Sequence, residues 1–181
     1  YSINLSAASI SDSAWVRELV DIVQTSDVPG ERLVFEVSEK AAMENIDATA
    51  AFIDQLRPLG SRFALDDFGT GFSSFYYLKR FEVDYLKINR SFTQDLHENA
   101  ESRVFVKALN GLARDLNRQV VAKGVENAET LKLMKEAAEK IGSELATKMG
   151  LDGANATLAQ LRAIPAEKFL ASPETSRSPG R

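Results

Sequence analysis

Several short apolar runs in this chain end on residues able to hold a cation or move a proton. Asn4 stands late in Ser2–Leu5 and Glu36 late in Leu33–Val37. Asp66 and Asp67 close the run that begins at Arg62, Lys87 lies within Tyr85–Ile88, and Lys123 and Glu126 follow Gln119–Ala122. Parallel strands joined by right-handed crossovers open their C-terminal ends onto one face. On that arrangement Asn4, Glu36, Asp66 and Asp67 converge, although they span 63 positions of sequence. Three carboxylates and an amide oxygen gathered together repel unless a hard cation neutralises them. Ligation by oxygen alone favours Mg2+ or Mn2+ over zinc. Ions held this way polarise phosphate oxygens and lower the pKa of a bound water. Taken singly, a strand-end aspartate is more often a helix N-cap than a ligand, and Glu36 in an apolar strand also suits an ion pair.

The positioning elements follow from the hydrophobic pattern. Short β-type runs alternate with longer helical patterns, which predicts βα units, a parallel sheet and an α/β fold. Leu33–Val37 and Gln119–Ala122 are apolar enough for strands buried on both faces. Ser11 or Asp12 is placed to cap a helix carrying Trp15, Val16, Leu19, Ile22 and Val23, closed by Pro29 and Gly30. Asp47 is placed to cap a second helix, with Ala51, Phe52, Ile53 and Leu56 inward until Pro58 and Gly60. A third is expected from about Glu101 to Leu116, with Val104, Phe105, Ala108, Leu109 and Leu112 as its apolar stripe. A fourth starts near Ala128 and carries Leu131, Leu133 and Met134. From Glu136 to Leu170 the pattern reads as helix after helix, and Pro173 to Arg181 reads as a disordered tail.

Composition removes several function classes. The 181 residues contain no cysteine and a single histidine, His97, so disulfides, thiolate nucleophiles, zinc–thiolate sites and multi-histidine sites are excluded. A net charge of -4 argues against a grip on long nucleic acid, which needs a basic stripe. A small phosphate ligand stays open, because bound metal ions can supply positive charge. No apolar run approaches the ~20 residues that span a bilayer. Tyr1–Ser6 lacks the features of a signal peptide. A cytoplasmic domain is therefore the expectation, and a start inside a strand suggests a piece of something longer.

Asn4-Leu5-Ser6, Glu36-Val37-Ser38-Glu39, the run Asp66-Asp67-Phe68-Gly69-Thr70-Gly71-Phe72-Ser73-Ser74, Leu86-Lys87-Ile88-Asn89 and Gly124-Val125-Glu126 follow one another in order. Together they resemble the successive motifs of the EAL domain family, whose members are metal-dependent cyclic di-GMP phosphodiesterases, over roughly Ser2 to Leu133. Asp66, Phe68 and Gly69 also invite a protein-kinase reading, but the Gly-rich loop and the His-Arg-Asp segment it requires are absent. The EAL resemblance implies a TIM-barrel-like (β/α) fold, here an incomplete barrel of parallel strands with outer helices. It implies Asn4, Glu36, Asp66 and Asp67 as metal ligands for Mg2+ or Mn2+. Lys87 would hold the catalytic water, with Asp67 and Glu126 as further catalytic positions. Glu39, Phe68, Gly69, Thr70 and Gly71 would couple the metal site to dimerisation. The implied partners are cyclic di-GMP, a second copy in a homodimer, and sensor or GGDEF-type domains in a longer parent protein.

The chain also departs from that pattern. It begins after the family's Glu-Ala-Leu signature, and the family's final strand with its Gln-Gly-Tyr/Phe segment is not found. The family's Ala-Glu-Gly-Val-Glu reads Ala122-Lys123-Gly124-Val125-Glu126. Lys123 thus brings a positive charge to a site built for cations, and a protonated ammonium cannot ligate. The C-terminal stretch loosely resembles a helical part of type-B carboxylesterases, but no Gly-x-Ser-x-Gly elbow accompanies it. The expected organisation is a partial EAL domain over 1–135, a divergent helical extension over 136–171 and a disordered tail over 172–181. Hydrolysis of cyclic di-GMP to linear pGpG is expected to be impaired. The alternative is a non-catalytic module that binds cyclic di-GMP or a protein partner.

Overall fold

The structure, a computed structural model, describes residues 1–70 and 74–136, with the main chain alone at 74–76. Gly71, the expected helical extension from residue 137 onward and the expected tail lie outside the described residues. Residues 1–133 form one compact unit.

Strands β1 (Ser2–Leu5), β2 (Val34–Ser38), β3 (Arg62–Phe68), β4 (Tyr85–Ile88) and β5 (Gln119–Ala122) form one sheet. Every pairing is parallel, and spatial order follows chain order from β1 to β5. A doubly wound sheet reverses its strand order partway, whereas a (β/α) barrel keeps winding in one direction. Among the described residues the sheet is an open, incomplete barrel. Helices α1 (Ala7–Ser11) and α2 (Ser13–Thr25) lead from β1 towards β2, and α3 (Glu39–Glu44) and α4 (Ile46–Leu56) lie between β2 and β3. Helix α5 (Ser74–Arg80) precedes β4, α6 (Ala100–Asp115) precedes β5, and residues 128–136 are helical again.

The register fixes which side chains share a face. Asn4 pairs with Glu36, Ser38 with Asp66, and Lys87 with Val121. Alternation along each strand then puts Ser2, Asn4, Glu36, Asp66 and Lys87 on one side of the sheet. The other side is apolar: Phe35, Val37, Phe63, Leu65, Leu86 and Ile88 are all buried. Phe52 of α4 closes onto it, its ring 5.7 Å from that of Phe35 and 6.0 Å from that of Phe63, both edge-on. The sheet is thus greasy towards its helices and polar on its inner face.

Several local expectations are corrected. Asp12 does cap α2, its carboxylate accepting from the N–H groups of Ala14 and Trp15. The cap of α4 is Asn45, which accepts from Ala48 N–H at 3.0 Å. Asp47 instead lies in the first turn, where its charge favours the helix dipole. Ala51 is exposed and Ala50 takes the inward position. On α6 the buried face is Ser102, Val106, Leu109 and Ala113, while Val104 is 69% exposed and Ala108 is exposed too. Ser102 tolerates burial because its hydroxyl reaches Asp95 Oδ1 at 3.0 Å. β5 is not buried on both faces, with Gln119 exposed and Val121 39% exposed.

Candidate functional site

The site forms where β3 breaks its regular pairing with β4. Leu65 pairs with Leu86 and Phe68 with Ile88, so β3 advances three residues while β4 advances two. The additional residue falls at Asp66-Asp67, and Asp67 adopts a φ of 53°, a left-handed conformation that aspartate tolerates better than most residues. A bulge of this kind re-aims side chains that strict alternation would send to opposite faces. Both carboxylates here reach the same atom. Lys123 Nζ donates to Asp66 Oδ1 and Oδ2, each at 3.0 Å, and to Asp67 Oδ1 at 2.8 Å.

The lysine is aimed by its own backbone. It follows directly on β5, and the hydroxyl of the fully buried Thr93 donates to its carbonyl. Gly124 next to it takes a φ of 71°, and a Cβ there would lie 3.0 Å from Arg90 Cβ. The left-handed φ and this tight approach to Arg90 favour glycine at the position after Lys123.

A second ion pair lies beside the first. Lys87 Nζ donates to Glu36 Oε2, and Ser2 donates its hydroxyl to Glu36 Oε1. Asn89 Nδ2 donates to Asp67 Oδ1 at 2.9 Å. Burial pushes the Glu36 carboxyl up, but the hydrogen bonds from Lys87 and Ser2 outweigh it and hold it below the ordinary 4.5. The Lys123 hydrogen bond leads the causes that hold Asp67 below 3.8. Reciprocally, the bond to Asp67 raises the Lys123 ammonium above 10.5.

This donor set does not fit a divalent ion as it is arranged. Mg2+ needs oxygens at about 2.0–2.1 Å around its own centre. The oxygens of Asp66 and Asp67 already surround an ammonium, and those of Glu36 are held by Lys87 and Ser2. Among the described residues no group of three or more Asp, Glu, His or Cys side chains is placed to hold an ion.

The structure thus brings Glu36, Asp66, Asp67, Lys87 and Lys123 together, with Asn4 beside Glu36 in the ladder. Glu126 does not join them, since its side chain is 71% exposed and pairs with Arg90. The segment after β3 is tied down separately: Gly69 N–H donates to Glu39 Oε2 at 3.0 Å, and the Thr70 hydroxyl donates to the Asp67 carbonyl. Phe68 is buried. Gly69 has a φ of 100° and passes so close to Phe105 that a Cβ would lie 2.6 Å from its ring. Sequence reading missed Ser2, Asn89 and Thr93. Ser2 was recoverable as the residue two before Asn4, on the same face of β1. Thr93 carried no such signal.

The EAL domain model matches residues 1–139. The cyclic di-GMP phosphodiesterase PdeB of Shewanella oneidensis is 38% identical over 130 residues, covering 72% of this chain and 15% of PdeB. MucR of Pseudomonas aeruginosa, a bifunctional diguanylate cyclase/cyclic di-GMP phosphodiesterase, is 34% identical over 171 residues, covering 94% of this chain and 23% of MucR. A solved PaMucR phosphodiesterase in complex with c-di-GMP superposes with a TM-score of 0.69 at 33% identity, over 75% of this chain and 55% of that one. The manganese and cy-diGMP complex of Klebsiella pneumoniae BlrP1 gives 0.69 at 28% identity, over 75% and 35%. The chain spans less than a quarter of the length of the two curated relatives. With its motifs in order and its strands wound as a partial barrel, the chain belongs to the EAL domain family.

Proposed function

We propose that this chain is a cyclic di-GMP signalling module that binds the dinucleotide without turning it over. The observation that carries this reading is the Lys123 ammonium seated between Asp66 and Asp67. Two-metal cleavage of a phosphodiester needs one ion on the attacking oxygen and one on the leaving oxygen. A side-chain cation at those carboxylates opposes occupancy by either ion, which impairs hydrolysis to linear pGpG. Cyclic di-GMP as ligand is supported by the likeness to the PaMucR and BlrP1 complexes. On this reading Asn4, Glu36, Asp66, Asp67, Lys87 and Glu126 keep the family's positions but not its full chemistry. Glu39 and the segment from Phe68 to Gly71 would link ligand binding to a homodimer.

The surrounding protein would supply sensor or GGDEF-type domains, as the bifunctional MucR suggests, and act in the cytoplasm. Among the described residues no helix is long and apolar enough to cross a membrane. The competing reading is a working phosphodiesterase using Mg2+ or Mn2+, and PdeB favours it by sequence. Calorimetric titration with cyclic di-GMP, with and without Mg2+, tests the proposal. Saturable binding unaffected by Mg2+ supports it. Binding that requires the metal, or no binding at all, refutes it.

A further inference from the structure

We infer that the Lys123 ammonium is a built-in replacement for a divalent cation, holding Asp66 and Asp67 together and keeping Mg2+ and Mn2+ out of their pocket. The inference shares the site of the proposed function, but its test uses metal alone and no dinucleotide: its failure removes the argument for lost turnover, while binding of cyclic di-GMP is tested separately by the titration.

Three features support it. The first is geometry: one nitrogen meets three carboxylate oxygens from two adjacent residues at 2.8–3.0 Å. Three donors on Nζ match those three acceptors, so the ammonium is saturated there. The second is anchorage. The Thr93 hydroxyl holds the Lys123 carbonyl, and Gly124 turns the chain beside Arg90 with a left-handed φ of 71°. A tethered cation faces no loss of translational freedom on binding, whereas a metal from solution must shed water, which Mg2+ does reluctantly. The third is local charge. Asp66, Asp67 and Glu36 set three negative charges against the two positive charges of Lys87 and Lys123. Without Lys123 two neighbouring carboxylates would face each other across a bulge with no cation of their own.

A prediction about metals follows from the exchange. With the lysine present, an incoming ion must displace the ammonium from the same oxygens. With it removed, Asp66 and Asp67 become an anionic pocket that a hard divalent cation fits by charge and donor type.

The test compares the wild type with Lys123→Met, which keeps the length of the stem and removes the charge. Thermal unfolding is followed in EDTA, Mg2+ and Mn2+, and Mn2+ binding is read directly by electron paramagnetic resonance. The wild-type Tm should change by less than ~1 °C between EDTA and millimolar Mn2+, as mass action requires of a site that binds no metal. Lys123→Met should melt roughly 3–6 °C lower in EDTA and recover most of that loss in Mn2+. It should also bind Mn2+ at least about tenfold more tightly than the wild type, and Lys123→Met/Asp66→Asn should lose that gain. If the wild type binds Mn2+ as tightly as the variant, the inference is overturned. It is equally overturned if Lys123→Met is as indifferent to Mn2+ as the wild type. Should the variant fail to fold, the wild-type resonance titration still decides: tight Mn2+ binding, abolished by Asp66→Asn, contradicts the inference, and its absence upholds it.

Discussion

Glu39 Oε2 accepts a hydrogen bond from the backbone N–H of Gly69 at 3.0 Å, linking the first turn of α3 to the segment that leaves β3. The carboxylate is only 2% exposed, so it is committed to the interior. Removing it strands the Gly69 donor beside a Phe92–Phe105 stack whose ring centroids are 4.0 Å apart. Glu39→Ala should cost about 1–3 kcal/mol, read by urea unfolding, and should speed amide exchange at Gly69. Glu39→Gln keeps an acceptor and should cost less than half as much. Equal losses in the two variants would contradict the hydrogen bond's role.

The Lys87–Glu36 pair should behave as a unit. Its side chains are 19% and 10% exposed, so removing one partner leaves a poorly solvated charge. Lys87→Met should destabilise by about 1–3 kcal/mol, as for a lost charged hydrogen bond. Adding Glu36→Gln should restore part of that loss. A double-mutant cycle checks this, and strict additivity would show that the two side chains are not coupled.

The aromatic triad beneath the site should dominate its mechanical support. Phe35, Phe52 and Phe63 are at most 1% exposed and mutually in ring contact. Phe52→Ala should cost about 3–5 kcal/mol by cavity formation, measured as a shift of the urea midpoint. A cost below 1 kcal/mol would mean that this face of the sheet repacks freely.

Stability should be level across neutral pH and fall at both extremes. Glu36 and Asp67 are held below 4.5 and 3.8 when folded, so each binds protons less readily than in the unfolded chain. Their contribution is complete above those ordinary values and is lost as pH falls through the lower folded ones. Lys123 is raised above 10.5, so its contribution is complete below 10.5 and is lost as pH rises through the folded value. Urea midpoints measured across the range check both limbs. Lys123→Met removes the leading cause that holds the Asp67 carboxyl down, so that variant should lose less stability than the wild type as pH falls.

Much of this was legible in the sequence because strand ends carry their own markers. Ser2–Leu5, Tyr85–Ile88 and Gln119–Ala122 are read to the residue, and their polar ends mark the inner face. The phase of α6 was not legible, since the buried Ser102 is satisfied by Asp95 across a turn that composition does not reveal. The bulge was hidden as well: strict alternation would send Asp66 and Asp67 to opposite faces, and only an irregular pairing lets one ammonium reach both. Lys123 stood out as a cation where the resemblance expects an acid. Its role as the centre of the cluster depends on Thr93 and Arg90, which no motif contains.

The most direct test is product formation by the purified chain with cyclic di-GMP, followed by chromatography in Mg2+ and in Mn2+. The account predicts that linear pGpG does not accumulate over multiple turnovers in either ion, because the Lys123 ammonium occupies the carboxylates that cleavage would need. Steady turnover by the wild-type chain, abolished by Asp66→Ala, would contradict it.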